Sequence, residues 1–287
     1  MEKIKFVKYH GLGNDFVVFK DSDLGFSDEK YQDLTRKVCH RKLGIGADGV
    51  LIQKGNPIDG LEMMIINADG SIDTMCGNGV RCFAAFLLDE KIISKDEFKI
   101  ITKGGIQLVK IYDNKEEETI SEVNLGIPKY IKGDFEYEFT NTKTTNEKNI
   151  NGTYINNGTP HIVYFLDKDW YYFGEDGKEN LKKIIEIGGE LSSDVKKFNE
   201  EVSVNFPIII NRKNINLITF ERGVGLTSAC GTGTAASVAA GIKLGLLDNS
   251  VKADLMYGSL QIKKKEDGSF LMKGPAKKVF DGLYNYE

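Results

Sequence analysis

No apolar run in this 287-residue chain approaches the roughly 18 residues needed to span a membrane. The opening residues, Met-Glu-Lys-Ile-Lys-Phe, lack the apolar core of a signal peptide, so a cytosolic protein is expected. Cysteine is scarce, at four residues, and histidine scarcer, at three. Thiols stay reduced in the cytosol, so Cys39, Cys76, Cys82 and Cys230 are not read as a disulfide framework. With no paired Cys-x-x-Cys and so few histidines, no spacing points to zinc or another metal. A Gly-x-Ser-x-Gly elbow and a Walker loop are also missing. The net charge of −4 leaves no electrostatic case for nucleic acid or an anionic membrane as partner.

What is present is a repeated thiol motif. Met75-Cys76-Gly77-Asn78-Gly79 follows Asn67-Ala68-Asp69-Gly70-Ser71, and Ala229-Cys230-Gly231-Thr232-Gly233 follows Glu221-Arg222-Gly223-Val224-Gly225. Each cysteine precedes Gly-x-Gly and a helical run, 80–88 or 235–244. A thiol there meets the N–H groups and positive dipole end of a helix, which can lower its pKa from about 8.5 towards neutrality. The same N–H groups can hold a carboxylate beside the sulfur. One such unit is a candidate nucleophile or base. Two of them point to one substrate with a thiol on each side.

The order of elements repeats as well. Apolar runs at 6–9 and 16–19 flank His10-Gly11-Leu12-Gly13-Asn14-Asp15 and read as strand, tight loop, strand. Ser27 caps a helix with Leu34 and Val38 on its apolar face. Gly44-Ile45-Gly46-Ala47-Asp48-Gly49 spells a dinucleotide fingerprint, but a helix precedes it and a strand (50–53) follows, the wrong context. Strands are expected at 61–67, 98–102, 106–112 and 119–125, with a charged hairpin turn at 113–118. A polar stretch, 129–151, reads as a seam. Beyond it come strands at 154–155 and 162–166 around the loop 156–161, a helix at 179–188, and strands at 202–210 and 215–222. Further strands are expected at 251–255, 259–263, 270–273 and 278–283. The fold class expected is α+β with two similar halves, 1–126 (completed by a terminal strand, 276–287) and 127–275. The site is expected in the cleft between them.

A single cysteine of this kind is more simply a small buried hydrophobe, and that reading stands for Cys39 and Cys82. Two at equivalent positions, Cys76 and Cys230, favour chemistry. His161 stands in a turn that matches the loop carrying Asn14. Glu221 and Arg222 end an apolar strand just before the second thiol loop. Asn14, Asn67 and Asn205 at strand ends suit polar recognition of a zwitterion, although each could be a turn residue alone.

These residues resemble the diaminopimelate epimerases over nearly the whole chain. The resemblance is carried by Gly11-Leu12-Gly13-Asn14-Asp15-Phe16, Gly44-Ile45-Gly46-Ala47-Asp48-Gly49, the two thiol motifs, Val204-Asn205-Phe206, Glu221-Arg222-Gly223-Val224-Gly225 and Gly274-Pro275-Ala276. It implies two like halves, each a mostly antiparallel sheet wrapped around a central helix, and commonly a homodimer. It implies interconversion of L,L- and meso-diaminopimelate in lysine and peptidoglycan synthesis, with no cofactor. Cys76 would act on the L,L isomer and Cys230 on the meso isomer, with His161 and Glu221 tuning the thiols. Gly77, Asn78, Gly231 and Thr232 would hold the reacting carboxylate. Asn14, Asn67, Asn205 and Arg222, helped by Glu221, would grip the distant amino-acid end.

Two positions depart from the pattern. Thr159 stands where the family often has asparagine, and Gly49 where some members carry glutamine. The alternatives are a racemase of a smaller amino or imino acid, or a thiol redox sensor, which would need no zwitterion-shaped pocket.

Overall fold

Parallel strands cannot be joined by a tight turn and need a crossover, usually a helix. Among the described residues, four helices serve as such crossovers. A computed structural model describes residues 2–115, 118–140 and 147–286. The chain divides into two compact units, Met1–Asn124 with Lys273–Glu287, and Leu125–Met272. The expected turn at 113–118 and the polar stretch 129–151 lie partly outside the described residues.

In the first unit, β1 (Glu2–Gly11) reverses through Leu12 and Gly13, both at positive φ, into antiparallel β2 (Asn14–Lys20). After the single turn α1 (Asp21–Leu24), α2 (Asp28–Cys39) crosses over to β3 (Gly49–Asn56), which runs parallel to β2. Ser27 caps α2 by accepting from the Lys30 N–H, and Tyr31, Leu34 and Val38 are buried. Their spacing places them on one helical face, where α2 packs on β3 and on β4 (Gly60–Asn67). Following the short β5 (Ile72–Asp73), α3 (Gly77–Asp89) leads to β6 (Glu97–Thr102), parallel to β4. Next, β7 (Gly105–Lys115) and β8 (Glu118–Asn124) run as an antiparallel meander. The terminal strand, Phe270–Tyr286, pairs with β1 and with β8. Helix α3 touches β1, β2, β3, β4, β7 and β8, and every residue from Gly77 to Leu87 is buried. A helix enclosed in this way has no polar face.

The second unit begins with β9 (Lys129–Ile131), the antiparallel pair β10 (Glu136–Thr140) and β11 (Glu147–Asn151), and β12 (Thr153–Asn156). Strand β13 (Pro160–Val163) is antiparallel to β12. The crossover α4 (Lys178–Ser192), followed by the turn α5 (Val195–Phe198), leads to β14 (Ser203–Asn211), parallel to β13. Strands β15 (Asn214–Glu221) and β16 (Gly225–Thr227) are antiparallel neighbours. Helix α6 (Gly231–Lys243) then leads to β17 (Ser250–Leu255), parallel to β15, and β18 (Gly258–Lys264) returns antiparallel. This is the pairing order of the first unit again. Helix α6 packs on β12, β13, β14 and β18 and is buried along most of its length. The fold is therefore α+β, with two similar halves built on mostly antiparallel sheets around a central helix.

Two local expectations differ from the structure. The polar stretch 129–151 contains strands, and Phe135 and Phe139 within it join a buried aromatic cluster with Tyr164, Trp170 and Phe206. Its charged residues hid two core anchors. The strands expected at 270–273 and 278–283 form one strand through Gly274-Pro275. A proline interrupts a ladder only where its N–H would be needed, and the Pro275 carbonyl accepts from the Arg81 Nε–H at 3.3 Å.

Candidate active site

Each thiol stands at the N-cap of its unit's central helix. Cys76 has extended backbone (φ −135°, ψ 115°), and its sulfur accepts from the Gly79 N–H at 3.4 Å. Cys230 repeats this (φ −117°, ψ 109°), with the Gly233 N–H 3.3 Å from its sulfur. A cap residue of this kind satisfies one of the donors that a helix's first turn cannot pair within the helix, and two further such N–H groups precede it in each helix. In the first unit these belong to Gly77 and Asn78, and in the second to Gly231 and Thr232.

Around Cys76, the Asn14 carbonyl oxygen lies 4.0 Å from the sulfur and accepts from the Asn78 amide at 3.2 Å. The Asn14 amide nitrogen donates to Asp48 at 2.8 Å. Arg41 bridges Asp48 at 2.6 Å and Asp15 at 2.9 Å, and Lys8 pairs with Asp15 at 2.8 Å. Burial alone would raise the Asp15 pKa, but Arg41 and Lys8 hold its carboxyl below the usual range. Arg81 is fully buried in α3; burial opposes its charge, while the Cys82 and Cys76 sulfurs favour it. Asn67 ends β4 opposite Gly49, and the N–H of the next residue, Ala68, donates to the Asp48 carbonyl at 3.1 Å. The Asn67 amide donates to the Ser71 hydroxyl at 3.1 Å.

Around Cys230, the Thr232 hydroxyl lies 3.5 Å from the sulfur and 3.0 Å from His161 Nε2. Thr159, the first departure from the family pattern, places its hydroxyl 2.8 Å from that same nitrogen. The Asn157 amide donates to the Thr232 carbonyl at 3.3 Å. Burial, first of all, then the Glu221 carboxylate push the Cys230 thiol well up, outweighing the Thr232 and Gly233 hydrogen bonds. The helix terminus alone would act in the opposite direction, so desolvation decides the sign here. His161 is fully buried, and burial together with the Arg222 charge lowers its pKa to about 3. Arg222 itself is partly exposed, its guanidinium 3.9 Å from Glu200. Cys39 and Cys82 are buried thiols pushed up to about 12, chiefly by burial.

The sequence reading missed Asp48, Arg41, Asn157 and Thr219, whose hydroxyl donates to Asn205 Oδ1 at 3.0 Å. Asp48 had a signal, since it lies in the glycine-rich motif that failed as a nucleotide site. At the second departure, a Cβ on Gly49 would meet the Ile66 carbonyl at 2.8 Å. A larger side chain there requires the strand to shift.

A family model described as diaminopimelate epimerase matches residues 6–131 and 153–279. The chain is 37% identical to a diaminopimelate epimerase of Clostridium perfringens, covering 98% of this chain and 99% of that one. It is 35% identical to the diaminopimelate epimerase of Methanocaldococcus jannaschii, covering 97% of each. Among solved structures, a PhzF-family phenazine biosynthesis protein of Bacillus anthracis matches with TM-score 0.75 at 16% identity, over 100% of both chains. A hydroxyproline epimerase of Agrobacterium vitis, with bound trans-4-hydroxy-L-proline, matches with TM-score 0.71 at 13% identity, over 99% of this chain and 91% of that one. At such identities these two structures speak for the fold alone.

Proposed function

This chain belongs to the diaminopimelate epimerase family, and we propose that it interconverts L,L- and meso-diaminopimelate by a two-thiol acid–base mechanism. The observation that carries this reading is the pair of N-cap cysteines, each with backbone N–H groups at its side. In the L,L direction Cys76 takes the α-hydrogen as a thiolate, and Cys230 gives a proton to the opposite face of the carbanion. The raised pKa of Cys230 supports its starting as the protonated partner. Backbone N–H groups of Gly77, Asn78, Gly231 and Thr232 stabilise the charge that builds on the reacting carboxylate. Glu221 and His161 tune the thiols, Glu221 by its charge beside Cys230. Asn14, Asn67 and Arg222, with Glu221, hold the distant amino-acid end.

Such an enzyme serves lysine and peptidoglycan synthesis in the cytoplasm. Among the described residues, no helix is long and apolar enough to cross a membrane. The test is incubation with L,L-diaminopimelate in deuterated water without added cofactor. Formation of the meso isomer with solvent deuterium at the α-carbon is expected. Equal activity on proline, or none on diaminopimelate, overturns the assignment.

A further inference from the structure

The family resemblance makes Asn205 a substrate ligand, yet its side chain is fully buried in β14 and its amide is engaged on both sides. The Thr219 hydroxyl donates to Asn205 Oδ1 at 3.0 Å. Asn205 Nδ2 lies 3.1 Å from the Ile162 carbonyl, 3.4 Å from the Ser203 carbonyl and 3.3 Å from His161 Nδ1. Carbonyl oxygens accept only, so they require the nitrogen of the amide on that side. Flipping the amide would set three acceptors against one another. We infer that Asn205 is a positioning residue, which holds His161 in the tautomer protonated on Nε2 and so turns the Thr232 hydroxyl to donate to the Cys230 sulfur.

The steps follow from donor and acceptor matching. The Asn205 amide carries two protons for these three acceptors and its nitrogen accepts none, so a protonated Nδ1 would aim its N–H at a donor; Nδ1 is therefore the bare nitrogen. His161 is neutral in its buried site, and its single proton is therefore on Nε2. That N–H points at the hydroxyls of Thr159 and Thr232, which stand 3.5 Å apart. A threonine oxygen that accepts from the ring keeps its own proton for another partner. For Thr232 that partner is the Cys230 sulfur, 3.5 Å away. The Gly233 N–H is the second donor to the same sulfur. When Cys230 has given up its proton, two donors thus meet the thiolate. In the other tautomer Nε2 would be an acceptor and would draw the hydroxyl proton away from the sulfur. The charged groups that act on this cluster are Glu221, beside Cys230, and Arg222, near His161.

The inference rests on the proposed role of Cys230, but its test needs no substrate. In protein labelled with ¹⁵N-histidine, ring nitrogen shifts distinguish the two neutral tautomers. With three histidines in the chain, the His161 signals are those missing from a His161→Gln variant. The wild type is expected to show the Nε2–H form from pH 6 to 8, and the Nδ1–H form or an imidazolium overturns the inference. Asn205→Asp, which puts an acceptor against Nδ1, is expected to move the proton to Nδ1; an unchanged tautomer in the folded variant counts against it. Thr232→Val should leave the tautomer alone and raise the Cys230 thiol pKa by about one unit, a tenfold slower alkylation at fixed pH. Peptide mass spectrometry reads that rate at Cys230, and an unchanged rate likewise refutes the donor role of the hydroxyl. Failure of the wild type to epimerise diaminopimelate would defeat the functional reading and leave these outcomes readable.

Discussion

The Asn14 amide nitrogen donates to the Asp48 carboxylate at 2.8 Å, and this contact fixes which end of Asn14 is turned to Cys76. The nitrogen is held by a carboxylate, so the carbonyl oxygen is the end that faces the thiol and the Asn78 amide. Asn14 then presents an acceptor, suited to an ammonium group. Asp48→Ala should release the amide to rotate. Substrate KM is expected to rise about three- to tenfold, the value of about one hydrogen bond, with the fold intact by circular dichroism. An unchanged KM would show that Arg41 and Asp15 alone suffice.

Cys76→Ser and Cys230→Ser should each lose epimerisation by at least about 10²-fold, since a hydroxyl is a much poorer base at neutral pH. The loss is read by following L,L- to meso-diaminopimelate conversion. Full activity in either variant removes the two-thiol mechanism.

Arg222→Lys exchanges a planar fork for a point charge. Its half-exposed guanidinium lies 3.9 Å from the Glu200 carboxylate, a loose contact on which little structure depends. KM is expected to rise about tenfold or more while Cys230 alkylation stays unchanged. Unaltered steady-state kinetics would place Arg222 outside the substrate site.

His161 titrates near 3 in the folded protein and near its ordinary value when unfolded. Between these values the unfolded chain binds the extra proton, so stability falls as the pH drops below about 6.5 and levels off near 3. The loss approaches about 1.4 kcal/mol for each pH unit inside that window. Urea midpoints at pH 7 and pH 5 should differ less in His161→Gln than in the wild type. Equal pH slopes would mean that His161 is charged in the fold.

The equivalent glycines after the two thiols differ in the room around them. A Cβ at Gly79 would meet the Cys76 Cβ and Leu51 at 3.4 Å, an ordinary contact. At Gly233 it would lie 2.3 Å from Asn205 Oδ1. Gly79→Ala should change stability by less than about 1 kcal/mol, and Gly233→Ala should cost about 1–3 kcal/mol through overpacking. Thermal melts of the two variants check the order.

How far the sequence reaches depends on the range of each interaction. The Ser27 cap, the buried face of α2 and the cysteines at the starts of α3 and α6 rest on contacts three or four residues apart. Such contacts are written in local spacing, and so were legible. The repeated thiol motif also announced the duplicated pairing order of the strands. The environment of each thiol was not legible. Thr232 and His161 are 71 positions apart, and Asn205 and His161 are 44 apart; only the parallel pairing of β13 with β14 puts His161 beside Ser203 and Asn205 within reach of its ring. The helix start foretold a lowered thiol pKa, but burial and the Glu221 charge raise that of Cys230. Desolvation belongs to the assembled interior, because no local pattern records how much water a side chain has lost.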